Sequence, residues 1–177
     1  MKKIIMMLAL TSFSCNASYD TFLLDTQLTL LPKIAILEKN LIFANNKSPF
    51  KILIVYDRED DDIAKSSMKT LMRNLNGRIN THPILIEILP FDKVDNVASY
   101  HFIYVLKASV SQLKKVHTAT TSSGTITAIY DSNKLAESGL LLSIQMERNP
   151  VILINSKALK ENHFLFPDSL LEITRIL

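Results

Sequence analysis

The chain has no tryptophan, three glycines and a single cysteine among its 177 residues. Each shortage excludes something. Glycines at 77, 124 and 139 alone cannot assemble a phosphate-cradling loop or the dinucleotide fingerprint. One cysteine cannot close an intrachain disulfide, and it leaves no cysteine set for zinc. The four histidines, His82, His101, His117 and His163, show no metal-ligand spacing. No G-x-S-x-G elbow presents a serine nucleophile. Neither a metal nor a cofactor is therefore expected, and no catalytic residue stands out.

What is present begins with the N-terminus, "MKKIIMMLALTSFSCNAS". Lys2 and Lys3 precede a short apolar run, Ile4 to Leu10, and then small residues. This is the pattern of a secretory signal peptide over residues 1–17, too short to span a membrane. A buried N-terminal helix is the duller alternative, and the polar "TSFSCNAS" continues it poorly. Cleavage after Ala17 is expected rather than lipidation of Cys15, because Ser12 stands where a lipoprotein signal wants a leucine-like residue. The mature chain, residues 18–177, would then sit in the periplasm without cysteine, and its core alone must hold the fold. The leader carries two of the 20 basic residues and no acid, so without it 18 basic and 17 acidic residues leave a net charge of +1. A basic surface for nucleic acid is not expected.

Nearly half of the residues, 47%, are apolar, enough for one domain with a proper core. Tyr19 to Asn40 reads as a wide-faced apolar helix, in which Leu24, Leu28, Leu31 and Ala35 recur at helical spacing beside a stripe of Leu23, Leu30, Ile34 and Leu37. Pro32 should kink or split it. These side chains either enter the core, the commoner outcome, or form a dimer or partner surface. "KILIVYD", Lys51 to Asp57, reads as a central strand covered on both faces. A helix with acids in its first turn follows, with Gly77 as a C-cap. Strands are expected at Ile84 to Pro90, Ser99 to Ala108 and Gly124 to Asp131. Between the last two lies a helix opened by a Ser109–Gln112 capping box. A short helix closed by Gly139, a hairpin and two helices complete the chain, the last helix running near Pro167 to Ile176 with Ser169 and Glu172 at capping spacing. Alternation of strands and helices up to Asp131, then a hairpin, predicts a single α/β domain. Its sheet should be mostly parallel, with an antiparallel C-terminal hairpin and helices on both faces.

The run "DREDDD", Asp57 to Asp62, lies where a central strand meets a helix. Receiver domains place acids there, but such a domain also needs an aspartate after its third strand, and here Lys107 stands in that place. Helix-start acids in water are the simpler account. Open α/β sheets bind ligands outside the carboxyl ends of their strands. Asp57, Arg58, Lys107, Asp131 and Ser132 fall there, either as a candidate ligand cleft or as ordinary polar loop residues. Asn155 or Ser156 can cap the helix after "VILIN", with Leu153 and Ala158 facing the core.

The pieces "IYDSNKLAESG", "LLLSIQMERN", "ILINSKALKENHF" and "PDSLLEITRIL" resemble the C-terminal half of the YfiR/HmsC family of periplasmic proteins. "FLLDTQLTLLPKIAIL" and "PFKILIVYDRED" resemble its first helix and first strand, so the resemblance spans nearly the whole mature chain. These motifs are structural rather than catalytic. The resemblance implies a non-catalytic regulator that binds the periplasmic region of an inner-membrane sensor such as a diguanylate cyclase. Binding would lower cyclic di-GMP signalling and biofilm formation, and the protein would be a homodimer. Two departures stand out: relatives that sense redox state use cysteines, and the loop "DREDDD" replaces a glycine-containing one. A periplasmic small-ligand or transport-accessory protein using the strand-end cleft is the alternative, and a secreted enzyme of unrecognised type ranks third.

Overall fold

The structure, a computed structural model, describes residues 18–41, 48–121 and 123–177. The expected signal peptide and Cys15 lie outside the described residues.

Helix α1 (Thr21–Ala35) opens on Asp20, whose carboxylate accepts the amide of Leu23. Its Pro32 does not split it. The helix runs on through Ala35, since proline falls in the last turn, where few further backbone bonds depend on it. Strand β1 (Phe50–Tyr56) follows, buried on both faces. Next come α2 (Asp61–Asn74), a two-residue β2 (Arg78–Ile79) and β3 (His82–Pro90). Gly77, at φ +68°, sends its amide back to the carbonyl of Met72 and closes α2, the role its sequence position suggested.

Strand β4 (Phe102–Val105) is shorter than the expected Ser99 to Ala108. Helix α3 (Val110–Thr120) carries the expected reciprocal capping box of Ser109 and Gln112. Strand β5 (Ile126–Ile129) and the one-turn α4 (Leu135–Ser138) lead to the hairpin β6 (Leu142–Met146) and β7 (Pro150–Ile154). The short helices α5 (Ser156–Glu161) and α6 (Asp168–Leu171) come last before β8 (Thr174–Ile176).

The eight strands form one sheet in the order β2-β3-β1-β4-β5-β6-β7-β8. Only the β2–β3 and β6–β7 pairs are antiparallel. Side chains alternate across the sheet. Ile52, Ile54 and Tyr56 join a core with α1, α2, α5 and α6, while Leu53 and Val55 join a second core with α3 and α4. This is the α/β domain, with helices on both faces, that the alternating pattern predicts.

The C-terminus departs from expectation. No helix runs from Pro167 to Ile176. Pro167 occupies the N-cap of a single turn with no side-chain cap, and Ser169 with Glu172 forms no capping box. The chain then adds β8 parallel to β7, and the amide of Leu177 donates to the carbonyl of Ile154. Pairing against an open sheet edge satisfies backbone groups that a frayed terminal helix would leave to water.

At the other margin the two-residue β2 covers only the start of β3. Its residues Ile84 to Pro90 pair with β1 on one side. The amide of Ile84 bonds outward to Gly77, so by strand alternation Ile86 and Ile88 also point their backbone groups away from β1. Beyond β2 no further strand meets them among the described residues.

Candidate functional site at the strand carboxyl ends

Between β1 and β4 the strand order reverses, because the chain passes from β1 to β3 on one side and returns to β4 on the other. The crevice outside the carboxyl ends at such a point is where open sheets take ligands. Three strand-end residues frame it. Lys107 follows β4, Tyr130 follows β5, and Asp60 lies between β1 and α2.

The crevice is filled by the chain itself. The phenol of Tyr19 accepts the backbone amide of Lys107 at 2.9 Å and donates to Asp60 Oδ2 at 2.6 Å. Its ring centre lies 4.8 Å from that of Tyr130, tilted by 59°. Lys107 Nζ lies 4.7 Å from the Tyr19 ring centre and 5.5 Å from that of Tyr130, close enough for cation–π attraction to both. The same ammonium donates to the carbonyl of Ser18 at 2.6 Å, and the amide of Asp20 donates to the Tyr130 hydroxyl at 2.8 Å. Burial, reinforced by the Asp60 carboxylate, holds the Tyr19 phenol well above its usual pKa.

Beneath this layer Gln27 anchors α1 to the sheet. Its side chain is fully buried, and its Nε2 donates to the carbonyls of Tyr130 at 3.0 Å and Ile144 at 2.8 Å. The Tyr104 hydroxyl donates to Gln27 Oε1. Tyr104 is itself completely buried, and burial drives its pKa far upward. A buried amide with every hydrogen-bonding group matched is costly to disturb, because each partner left behind is stranded away from water.

The expected cleft residues are gathered at this end of the sheet but do not converge on one point. Asp57 accepts from Gln112 Nε2 at 2.8 Å. Arg58 pairs with Asp92, which holds that carboxyl below its ordinary range. Together they line a shallow depression of about 280 Å³ with Phe91 and Lys115. Lys107 alone enters the crevice. Asp131 accepts the amide of Asn133 and pairs with Lys134 at 3.1 Å, and Ser132 opens the turn between them. Nor does the acidic run converge: Asp60 meets Tyr19, while Asp61 meets Tyr56 and Lys65. Among the described residues no three acids, histidines or cysteines are placed to hold a metal ion.

The expected partner surface on α1 needs correction. Leu28, Leu31 and Ile34 are buried in the monomer at 2%, 0% and 6% exposure, so they belong to the core. The wide apolar face of α1 is consumed by α2 and the sheet. Leu24 is half-buried beside a groove between α1 and α2 that is also lined by Asp25, Leu28, Ser67 and Thr70. Phe22, at 66%, is the exposed apolar residue of this helix. Asn155 caps α5 as expected, accepting the amides of Lys157 and Ala158, and Ser156 is the first helical residue rather than the cap. Leu153 and Ala158 are buried.

Sequence reasoning missed Tyr19 and Tyr130 at the crevice and Tyr104 beneath it, and read Asp60 only as one of the helix-start acids. Only Tyr130, directly before Asp131 at a strand end, carried a local signal.

No protein-family model matches the chain, and no curated protein matches it. Among solved structures it is similar to a conserved domain protein from Vibrio cholerae O1 biovar El Tor, with 13% identity and a TM-score of 0.61 over 86% of this chain and 59% of that one. It is also similar to an ABC domain in complex with L-Trp from Streptococcus pneumoniae, with 13% identity and a TM-score of 0.57 over 87% of this chain and 61% of that one. The chain thus spans about three-fifths of the length of both, and what it shares with them is the α/β fold.

Proposed function

We propose that the protein is a non-catalytic periplasmic regulator that acts by binding another protein. Its partner on this reading is the periplasmic region of an inner-membrane sensor such as a diguanylate cyclase, as in the YfiR/HmsC family that its sequence resembles. Binding would lower cyclic di-GMP and restrain biofilm formation, and the protein would act as a homodimer.

The observation that carries the reading is where large apolar side chains meet solvent. Ile176 on β8 and its flanking residues Ile173 and Leu177 are 51%, 69% and 43% exposed, and Leu85 is 43% exposed on β3. Among the described residues no strand pairs with the outer side of β8, or with that of β3 beyond the two-residue β2, so both margins of the sheet set apolar side chains beside unextended strand edges, the combination that strand addition between proteins exploits. The crevice where an open sheet takes a small ligand is meanwhile occupied by Tyr19.

A small-ligand protein is the second reading. It is favoured by the cation and aromatic rings at the crevice and by the likeness to a domain that binds L-Trp. The deciding measurement is cellular cyclic di-GMP in a strain lacking the gene and in the same strain complemented with the exported protein. A rise on deletion, reversed by complementation, is expected. An unchanged level across growth conditions would sink the cyclase reading in favour of the small-ligand one.

A further inference from the structure

The contents of the crevice are those of a binding site with its ligand in place. A phenol hydroxyl sits between a backbone donor, Lys107 N–H, and a carboxylate acceptor, Asp60. A ring sits under an ammonium and against a second ring. All of these partners belong to the sheet ends, whereas the phenol belongs to the short segment preceding α1.

That segment can leave without taking the helix with it. Its links to the crevice are Ser18 carbonyl to Lys107, Tyr19 to Lys107 and Asp60, and Asp20 amide to Tyr130. The helix is held separately, by Gln27 in the core and by the cap that the Asp20 side chain gives Leu23. Asp20 is the N-cap and its carbonyl accepts the amide of Leu24, so the hinge falls at the Asp20 φ, ahead of that carbonyl, and leaves the first backbone bond of α1 in place.

We propose that Ser18–Asp20 is a displaceable strap, and that the switch-point crevice beneath it is a binding site for a small phenol. The polar partners select that class. One donor beside one acceptor suits a hydroxyl, which both accepts and donates. A carboxylate ligand would meet the Asp60 carboxylate, with Asp57, Asp61 and Asp131 at the same end of the sheet. Lys107 and Tyr130 supply the cation and aromatic faces that a phenol ring prefers. This proposal stands apart from the protein-partner reading, since either can fail without the other. In the wild-type protein the strap competes with the ligand, so the apparent affinity is lowered by the fraction of time the crevice is open.

The test uses p-cresol, the side chain of tyrosine as a free molecule, with toluene as its hydroxyl-free control. Calorimetric titration of the purified protein should show p-cresol binding to Tyr19→Ala about tenfold or more tighter than to wild type. Toluene should bind that variant at least about tenfold more weakly, as expected when a buried donor and acceptor are left unpaired. Tyr19→Phe, which keeps the ring and loses only the hydroxyl contacts, should show a smaller gain and covers the case in which Tyr19→Ala fails to fold. In wild type, p-cresol should speed hydrogen exchange at the Asp20 amide. Equal binding of toluene and p-cresol would reduce the site to a hole left by truncation and overturn the proposal. So would no gain in either variant, or an Asp20 exchange rate in wild type that p-cresol leaves unchanged.

Discussion

At the carboxyl ends of β1, β4 and β5, Asp60, Lys107 and Tyr130 each meet a partner from the Ser18–Asp20 segment. Along the outer side of β3, the backbone groups of Ile86 and Ile88 meet no strand among the described residues, and the side chains there are apolar except Glu87. One end of the sheet is closed by its own chain and the other margin is open. The closed end ties polar groups together at long sequence range, so damage there should be paid in stability. The open margin contributes little to the fold, so damage there should appear in association.

Gln27→Leu should break the closed end most severely. The substitution keeps the side-chain volume nearly constant but strands the Tyr104 hydroxyl and the carbonyls of Tyr130 and Ile144 in a dry interior. Buried groups left unsatisfied cost about 1–3 kcal/mol each before relaxation, and a loss of about 3 kcal/mol is expected by urea denaturation. A change under about 1 kcal/mol would mean that α1 is held mainly by its apolar face.

How much of this was legible in the sequence follows the range of the contacts. Strand β1 was readable because both of its faces are covered, so "ILIV" needs no alternation. The Ser109–Gln112 box and the Asn155 cap were readable because their bonds close within three residues. Strand β8 was not, since a three-residue strand is defined by its neighbour β7 rather than by its own pattern. The leucines of α1 showed an apolar face but not what covers it. Tyr19 was silent because the Lys107 amide it meets lies 88 positions away.

Alkaline pH should probe both regions, with an effect smaller than that of Gln27→Leu. Tyr100 donates to Glu87 on β3 at 2.7 Å, and burial followed by that carboxylate pushes its pKa up to about 12. A tyrosine in the unfolded chain titrates near 10. Between these values the unfolded state binds fewer protons than the folded one, so stability is intact below about pH 10 and falls as pH rises toward 12. Tyr100 is partly exposed, and solvent screening leaves about 1 kcal/mol of that loss to it. Urea midpoints from pH 9 to 11.5 should therefore fall less steeply in Tyr100→Phe. The residual fall would report the crevice tyrosines, whose pKa values are also raised by burial. If the variant and wild type fall in parallel, Tyr100 does not titrate in this window.

The smallest effect on stability and the most informative one on association is expected from Leu85→Lys. Leu85 is 43% exposed on the outer strand, and its backbone groups point inward to β1, so the substitution leaves the ladder intact. Away from caps, cavities and buried pairs, a surface change of this kind stays within about 0.5 kcal/mol. A lysine on an edge strand is, however, a common way to block edge-to-edge pairing, because a second strand brought alongside would have to desolvate its charge. Sedimentation velocity on wild type and variant across a concentration series tests the contrast directly. If β3 carries self-association, the variant should be the more monomeric of the two while its urea midpoint stays put. An unchanged distribution would move the interaction surface to the β8 margin, where Ile176 and the preceding Ile173 are the more exposed pair. A lost midpoint would show instead that this margin belongs to the fold, and the contrast between a closed end and an open edge would not hold.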